Sequence, residues 1–166
     1  MPSPNPEFYG TAIAAAAYHT SRGNTGWADS PTDAAEAALI RASVWLDGTY
    51  GHRWPGARVD GDQYLAWPRT GATDKDGFAI IDTTTPRSVE HATYEAALRE
   101  MATPGSLSPD VTPSSGVKSE TVGPISITYR DGTGSDFRPI ASVVDDLLVG
   151  LIGRRSSASF AFAMRA

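Results

Sequence analysis

Catalysis needs side chains that can move protons, hold metals or attack carbonyl carbons, and this chain is sparing with them. It has three histidines, His19, His52 and His91, and no cysteine. The histidines fall in three separate segments. None has the H-x-x-x-H or H-E-x-x-H spacing that sets metal ligands on one helical face. Without cysteine there is no thiolate nucleophile, no disulfide and no Cys-based zinc site. Asp145-Asp146 is an adjacent acidic pair, but neighbours on a helix diverge by about 100°, so their carboxylates do not converge. Asp74-Lys75-Asp76-Gly77 has the opening of a calcium loop. Phe78 stands at its third acidic position, and Thr85 stands where a bidentate glutamate must close it, so a plain Asp-Gly turn is expected. No G-x-G-x-x-G, P-loop or G-x-S-x-G occurs. These absences predict a protein that is not an enzyme and takes no metal or cofactor.

Two constellations could bind rather than react. Tryptophans at 27, 45, 54 and 67 are many for 166 residues. One reading packs all four into a cluster pinning a loop to a helix. The other uses Trp54 and Trp67 as platforms on which DNA bases stack, since tryptophan serves both interfaces and single strands. The second constellation is LAWPRTG, residues 65–71, too short and proline-broken for a helix. Here Trp67 is expected to anchor a long loop against the Leu39–Tyr50 helix face, with Leu65 beside it. Pro68 keeps the chain extended, and Arg69 is left to meet a carboxylate in the same subunit or the next. The segment thus reads as a loop brace and a subunit contact.

Charge narrows the partners. The net charge is −5, and only Arg154-Arg155 form an adjacent basic pair. Proteins that grip nucleic acid carry basic patches that release counterions from phosphates. Strong non-specific DNA binding is therefore not expected, whereas a surface past which DNA slides tolerates this balance.

The elements that must position these residues are mostly helical. Thr11–Arg22 is an alanine-rich helix ended by Gly23-Asn24. Ser30-Pro31-Thr32-Asp33 starts the longest helix, with Ser30 as cap and Pro31 in the first helical position. Its buried face is Ala35, Ala38, Leu39, Ala42, Leu46 and Tyr50, and Gly51 stops it. Residues 51–85 form a long loop, and loops of that length are functional or interfacial. Pro86 opens a third helix over Arg87–Met101, with Glu95 and Arg99 at i,i+4. Residues 103–116 are turn-rich. Val117–Val122 and Ile125–Arg130 alternate as a β-hairpin, and Gly123-Pro124 calls for a longer or bulged connection. A fourth helix from Pro139 carries the stripe Ile140, Val143, Val144, Leu147, Leu148, Leu151 and Ile152 and ends at Gly153. The expected fold is mostly α, about four helices in a small bundle with a long central loop, one hairpin and an extended C-terminal arm. Residues 1–153 form the domain and 154–166 the arm. In that arm Phe160, Phe162 and Met164 alternate with alanines at strand spacing, which is the pattern of a segment that docks. No stretch has the roughly 20 apolar residues of a membrane span. The opening MPSPNPEFYG has no basic n-region, so a non-exported chain is expected.

Taken in order, YHTSRGNTGW, AALIRASVWLDGTYG, LAWPRTG, the following DG-x-x-I-x-x-x-x-x-P and the hairpin VG-P-I-x-I-x-Y resemble a phage family. It is often labelled DnaT-like single-stranded DNA-binding protein, is found beside portal and capsid genes of tailed phages and gene transfer agents, and is related to head–tail connector adaptors. The likeness runs from Tyr9 to Ile152, with Leu65, Trp67, Pro68 and Arg69 its most distinctive part. It implies an adaptor in the virion neck, assembled in the host cytoplasm as a ring, commonly of twelve copies. Such a ring joins the portal protein to a stopper or tail-completion protein and lets double-stranded DNA pass during ejection. By position, the arm would be the portal-binding element, through Arg154, Arg155, Phe160, Phe162, Met164 and Arg165. The family label implies instead a single-stranded DNA-binding protein of phage replication.

Overall fold

The computed structural model describes residues 7–109, 119–122, 125–128 and 142–153. The arm residues Arg154, Arg155, Phe160, Phe162, Met164 and Arg165 lie outside these, as do Pro139 and Ile140. Among the described residues the chain is mostly helical. It contains α1 (Ala12–Thr20), α2 (Thr25–Ala28), α3 (Thr32–Tyr50), α4 (Arg87–Ala102) and α5 (Ser142–Ile152).

α4 is the hub of the bundle: α3 and α5 pack on it, and the α1–α2 pair joins them. Alanine permits this closeness. Ala38 and Ala42 of α3 and Ala92, Ala96 and Ala97 of α4 are all fully buried, and small side chains let helix axes approach. The whole expected face of α3 is inside, from Ala35 to Tyr50. On α5, Val144, Leu148 and Leu151 are buried, while Val143 at the edge of the stripe is 39% exposed. Polar clips fix the packing. Arg41 Nε lies 2.8 Å from Glu100 Oε1, and the buried Glu100 also accepts from Gly105 N at 2.8 Å. Glu95 and Arg99 form the expected i,i+4 pair at 3.3 Å.

Local details differ from the sequence reading. Thr11 caps α1 through its hydroxyl, which accepts from Ala14 N at 3.0 Å. Ser30 does not cap α3. Its hydroxyl donates to the Gly26 carbonyl at 2.8 Å, so the one-turn α2, which the sequence did not reveal, takes the group α3 would have used. Pro31 becomes the N-cap residue, with φ −58° and ψ 141°. Gly51 ends α3 by tightening into a 3₁₀ turn over Gly51–Arg53.

The central loop is built rather than structureless. β1 (Ala57–Arg58) pairs antiparallel with β2 (Arg69–Thr70). Beyond it a finger over residues 72–80 closes through Ile80 N to Ala72 O at 2.9 Å and Asp74 N to Phe78 O at 3.0 Å. β3 (Ser119–Val122) and β4 (Ile125–Thr128) form the expected hairpin. Val122 faces Ile125, leaving only positions 123 and 124 between them, shorter than the expected connection.

Candidate functional site

Among the described residues a dense hydrogen-bond network surrounds LAWPR, and it is organised by a residue one turn before the end of α3. The Asp47 carboxylate receives the Tyr9 hydroxyl at 2.7 and 2.8 Å, the Trp54 indole N–H at 3.2 Å and the Ala66 amide at 2.8 Å. Tyr9 oxygen in turn accepts from the Trp67 amide at 3.2 Å, and the Tyr9 amide donates to Ser43 Oγ at 3.0 Å. A strap before α1, the end of α3 and the loop are thus tied at one point. Burial raises the Asp47 pKa, opposed by these donors and by the charge of Arg69. Burial, reinforced by the Asp47 charge, raises that of Tyr9.

Around that knot the loop braces itself. Trp67 is 1% exposed and meets Trp54 edge-on at 6.0 Å. Trp54 leads to Tyr50 at 6.1 Å and Tyr50 to Trp45 at 6.0 Å. The Tyr50 hydroxyl then donates to Asp145 on α5 at 2.8 Å. Gln63 Nε2 donates to the carbonyls of Leu65 and Pro68, at 2.7 and 3.1 Å. The Trp67–Pro68 bond is cis. Gly56 is obligatory in the brace: its φ is +69°, and a Cβ there would lie 2.4 Å from the Thr70 carbonyl oxygen. Among the described residues, the buried Trp67 indole N–H has no hydrogen-bond partner.

Arg69 holds the loop from inside: its guanidinium donates to Pro55 O at 2.6 Å, Gly56 O at 2.6 Å and Ala66 O at 3.3 Å, while its charge acts on the Asp47 carboxylate of the same subunit. Five N–H donors in a planar fork suit three carbonyls of a folded-back loop. The tryptophans also divide. Trp45, Trp54 and Trp67 line up as expected, but Trp27 sits apart on His19 at 4.5 Å. Trp54 and Trp67 are both buried, so neither ring presents a face on which a base can stack.

His19 and His91 both pack against Tyr18, at 5.2 and 4.7 Å. Buried His19 accepts from Asn24 Nδ2 at Nδ1, 3.0 Å away. That leaves its proton on Nε2, which donates to the Tyr94 carbonyl at 3.2 Å. Burial lowers its pKa, holding it neutral. His91 packs on Tyr18 at 4.7 Å, and burial, then the charges of Arg22 and Arg87, lowers its pKa. His52 is exposed on the 3₁₀ turn. Among the described residues no three His, Asp or Glu side chains are grouped to hold a metal ion. Asp74 does make a plain turn, its Oδ1 accepting from Asp76 N at 3.0 Å and Phe78 N at 2.9 Å.

Two kinds of open surface stand out among the described residues. A groove of about 530 Å³ runs beside the brace, lined by Asp47, Arg58, Tyr64 and Arg69 among others, with Tyr64 59% exposed. Elsewhere large apolar side chains stand in solvent: Ile13 is 84% exposed, Phe78 72% and Ile81 68%.

The brace is built from the segment 65–71 singled out in the sequence. Residues 2–166 match the family described as "Putative DnaT-like ssDNA binding protein". The chain belongs to that family. No curated protein and no solved structure gave a match. Within this DnaT-like family member, Tyr9 and Asp47 were the residues sequence reading missed. A signal existed: Ser43 and Asp47 interrupt the apolar stripe of α3 with polar groups in register with Leu39, Leu46 and Tyr50.

Proposed function

We propose that the chain is a non-catalytic structural adaptor of the phage head–tail connector. In this reading copies pack side by side into a ring in the virion neck, between portal and stopper or tail-completion protein, and double-stranded DNA passes through the lumen. The carrying observation is the pair of rigidly mounted apolar anchors, Ile13 on α1 and Phe78 with Ile81 on the finger, more than half exposed at two different places. A ring needs two unlike patches, because head-to-tail contacts close only when one surface meets another. Buried aromatics at interface centres carry most of such binding. The acidic balance supports passage of DNA without adhesion. The arm residues Arg154, Arg155, Phe160, Phe162, Met164 and Arg165 would engage the portal. The test is electron microscopy of the protein mixed with its portal. Rings capping the portal are expected, and Phe78→Ser/Ile81→Ser should abolish them while leaving the fold intact. Failure of the unaltered protein to join portal under any salt condition would sink this reading.

A second reading follows the family description. The groove sets the exposed ring of Tyr64 near Arg58 and Arg69, the aromatic-plus-cation pairing that single strands use. With Trp54 and Trp67 buried, stacking would fall to Tyr64. Anisotropy of a labelled oligonucleotide at low salt tests it: binding lost in Tyr64→Ala supports it, and no binding by the unaltered protein removes it.

A further inference from the structure

The finger is unusually well built for a piece of surface whose largest apolar side chains, Phe78 and the adjoining Ile81, are 72% and 68% exposed. Three backbone hydrogen bonds within residues 72–80 and two more to the Asp74 carboxylate hold it shut, yet Phe78 and Ile81 project into solvent. Its turn is fastened to the end of α5, where Lys75 N donates to Gly150 O at 3.1 Å. The same helix end is gripped from the other side. Arg53 Nη2 donates to Ile152 O at 3.1 Å and Gly153 O at 2.6 Å. The chain therefore leaves α5 at a fixed point next to the finger.

What leaves there is complementary to it. Residues 154–166 carry Arg154, Arg155 and Arg165 and no acidic side chain, with Phe160, Phe162 and Met164 alternating. The finger and its flank carry Asp74, Asp76 and Asp82 against a single Lys75, around two uncovered apolar side chains. Phe160 lies seven residues beyond Gly153, an extended reach of about 23 Å, ample to return to Phe78. A tether that short gives a local concentration in the millimolar range, more than any neighbouring molecule offers in dilute solution.

We infer that in the free subunit the chain's own residues 154–166 fold back onto the finger, with Phe160 and Phe162 covering Phe78 and Ile81 and the arginines facing Asp76 and Asp82. Each apolar surface hides the other until assembly separates them, so the arm and the finger become available to partners together. Parking the arm requires neither a ring nor nucleic acid, so it stands apart from both functional readings.

The absence of native cysteine makes the test direct. Ala79→Cys with Ala161→Cys places thiols beside, not in place of, the contacting side chains. The control is Ala34→Cys with Ala161→Cys, near the far end of α3, about 24 Å from Tyr50 along the helix. Under mild oxidation of dilute full-length protein, the finger pair should close an intramolecular disulfide about tenfold faster than the control. In parallel, Phe78→Asp/Ile81→Asp, both at exposed positions, should raise tryptic cleavage after Arg154 and Arg155 by about tenfold without lowering the melting temperature. Equal oxidation rates for the two pairs, or cleavage unchanged by the finger substitutions, overturn the inference. Disulfides found only in dimers would also overturn it, in favour of a second copy.

Discussion

Asp47 shows how one buried carboxylate can organise a region through its donors. It accepts from a phenol in the strap before α1 and from an indole and an amide in the central loop. Asp47→Asn keeps the size but loses the charge and turns one acceptor into a donor that faces another donor. The expected loss is about 3 kcal/mol in urea denaturation, since hydrogen bonds to charged groups and orphaned buried groups both weigh in. Tyr9→Phe should lose about 1–3 kcal/mol, because the Trp67 amide is left unpaired. As the two residues share one network, the double mutant should show a coupling of about 0.5–3 kcal/mol, and strict additivity would show that they act separately. His19 governs pH at the same scale. Its folded pKa lies below the unfolded 6.5 because of burial, so the unfolded chain binds the extra proton. Stability is then full above pH 6.5 and falls as the pH drops below it, with a slope of up to about 1.4 kcal/mol per pH unit for one site. His91 has the same sign. Asp47, whose folded pKa is raised, has the opposite one, favouring the fold below its unfolded 3.8. The melting temperature should therefore decline from pH 7 to 5, less steeply in His19→Gln.

At the scale of elements, the brace behaves as a unit held from inside. Arg69→Ala removes a fork from three carbonyls, so amide exchange should quicken across residues 54–71 while α1 and α4 keep their protection. Arg69→Lys should not restore it, lacking the planar geometry. Two glycines give a sharper comparison. Gly56 and Gly71 both have positive φ, +69° and +64°, but only at Gly56 would a Cβ meet backbone, at 2.4 Å, while at Gly71 nothing lies within 4 Å. Gly71→Ala should lose about 1–2 kcal/mol for left-handed strain alone, and Gly56→Ala clearly more by thermal melting. The same distinction explains what the sequence could tell. α1, α3, α4 and α5 were legible because their apolar period is local, and the inner face of α3 matched residue by residue. The brace was not, because its contacts are remote: Tyr9 to Asp47 spans 38 positions and Tyr9 to Trp67 spans 58. The carbonyl partners of Arg69 were illegible for the same reason, since a guanidinium folded onto Pro55 and Gly56 leaves no mark in sequence.

For the whole molecule, net charge separates the two functional readings. Each copy carries −5, so neighbours in a ring repel one another, and added salt screens that repulsion over about 10 Å at 0.1 M. Ring formation, followed by mass photometry, should strengthen as salt rises. Single-strand binding should weaken instead, because it depends on releasing counterions from phosphates. A salt series on one preparation thus yields opposite slopes for the adaptor and for the DNA binder.

The grip of Arg53 on the last carbonyls of α5 has a mechanical meaning. Any pull on residues beyond 153 reaches Gly153 first, and there the load divides. Part runs along α5, while part crosses through the guanidinium to the end of α3. Helices pulled from one end normally unravel turn by turn from that end. Here the terminal turn is stapled sideways, so tension is shared between two helices before any hydrogen bond of α5 opens. Arg53→Ala should lower the force at which α5 peels away in an optical trap, while leaving equilibrium melting little changed. In a neck through which DNA is driven under pressure, such a staple would act as a strain relief.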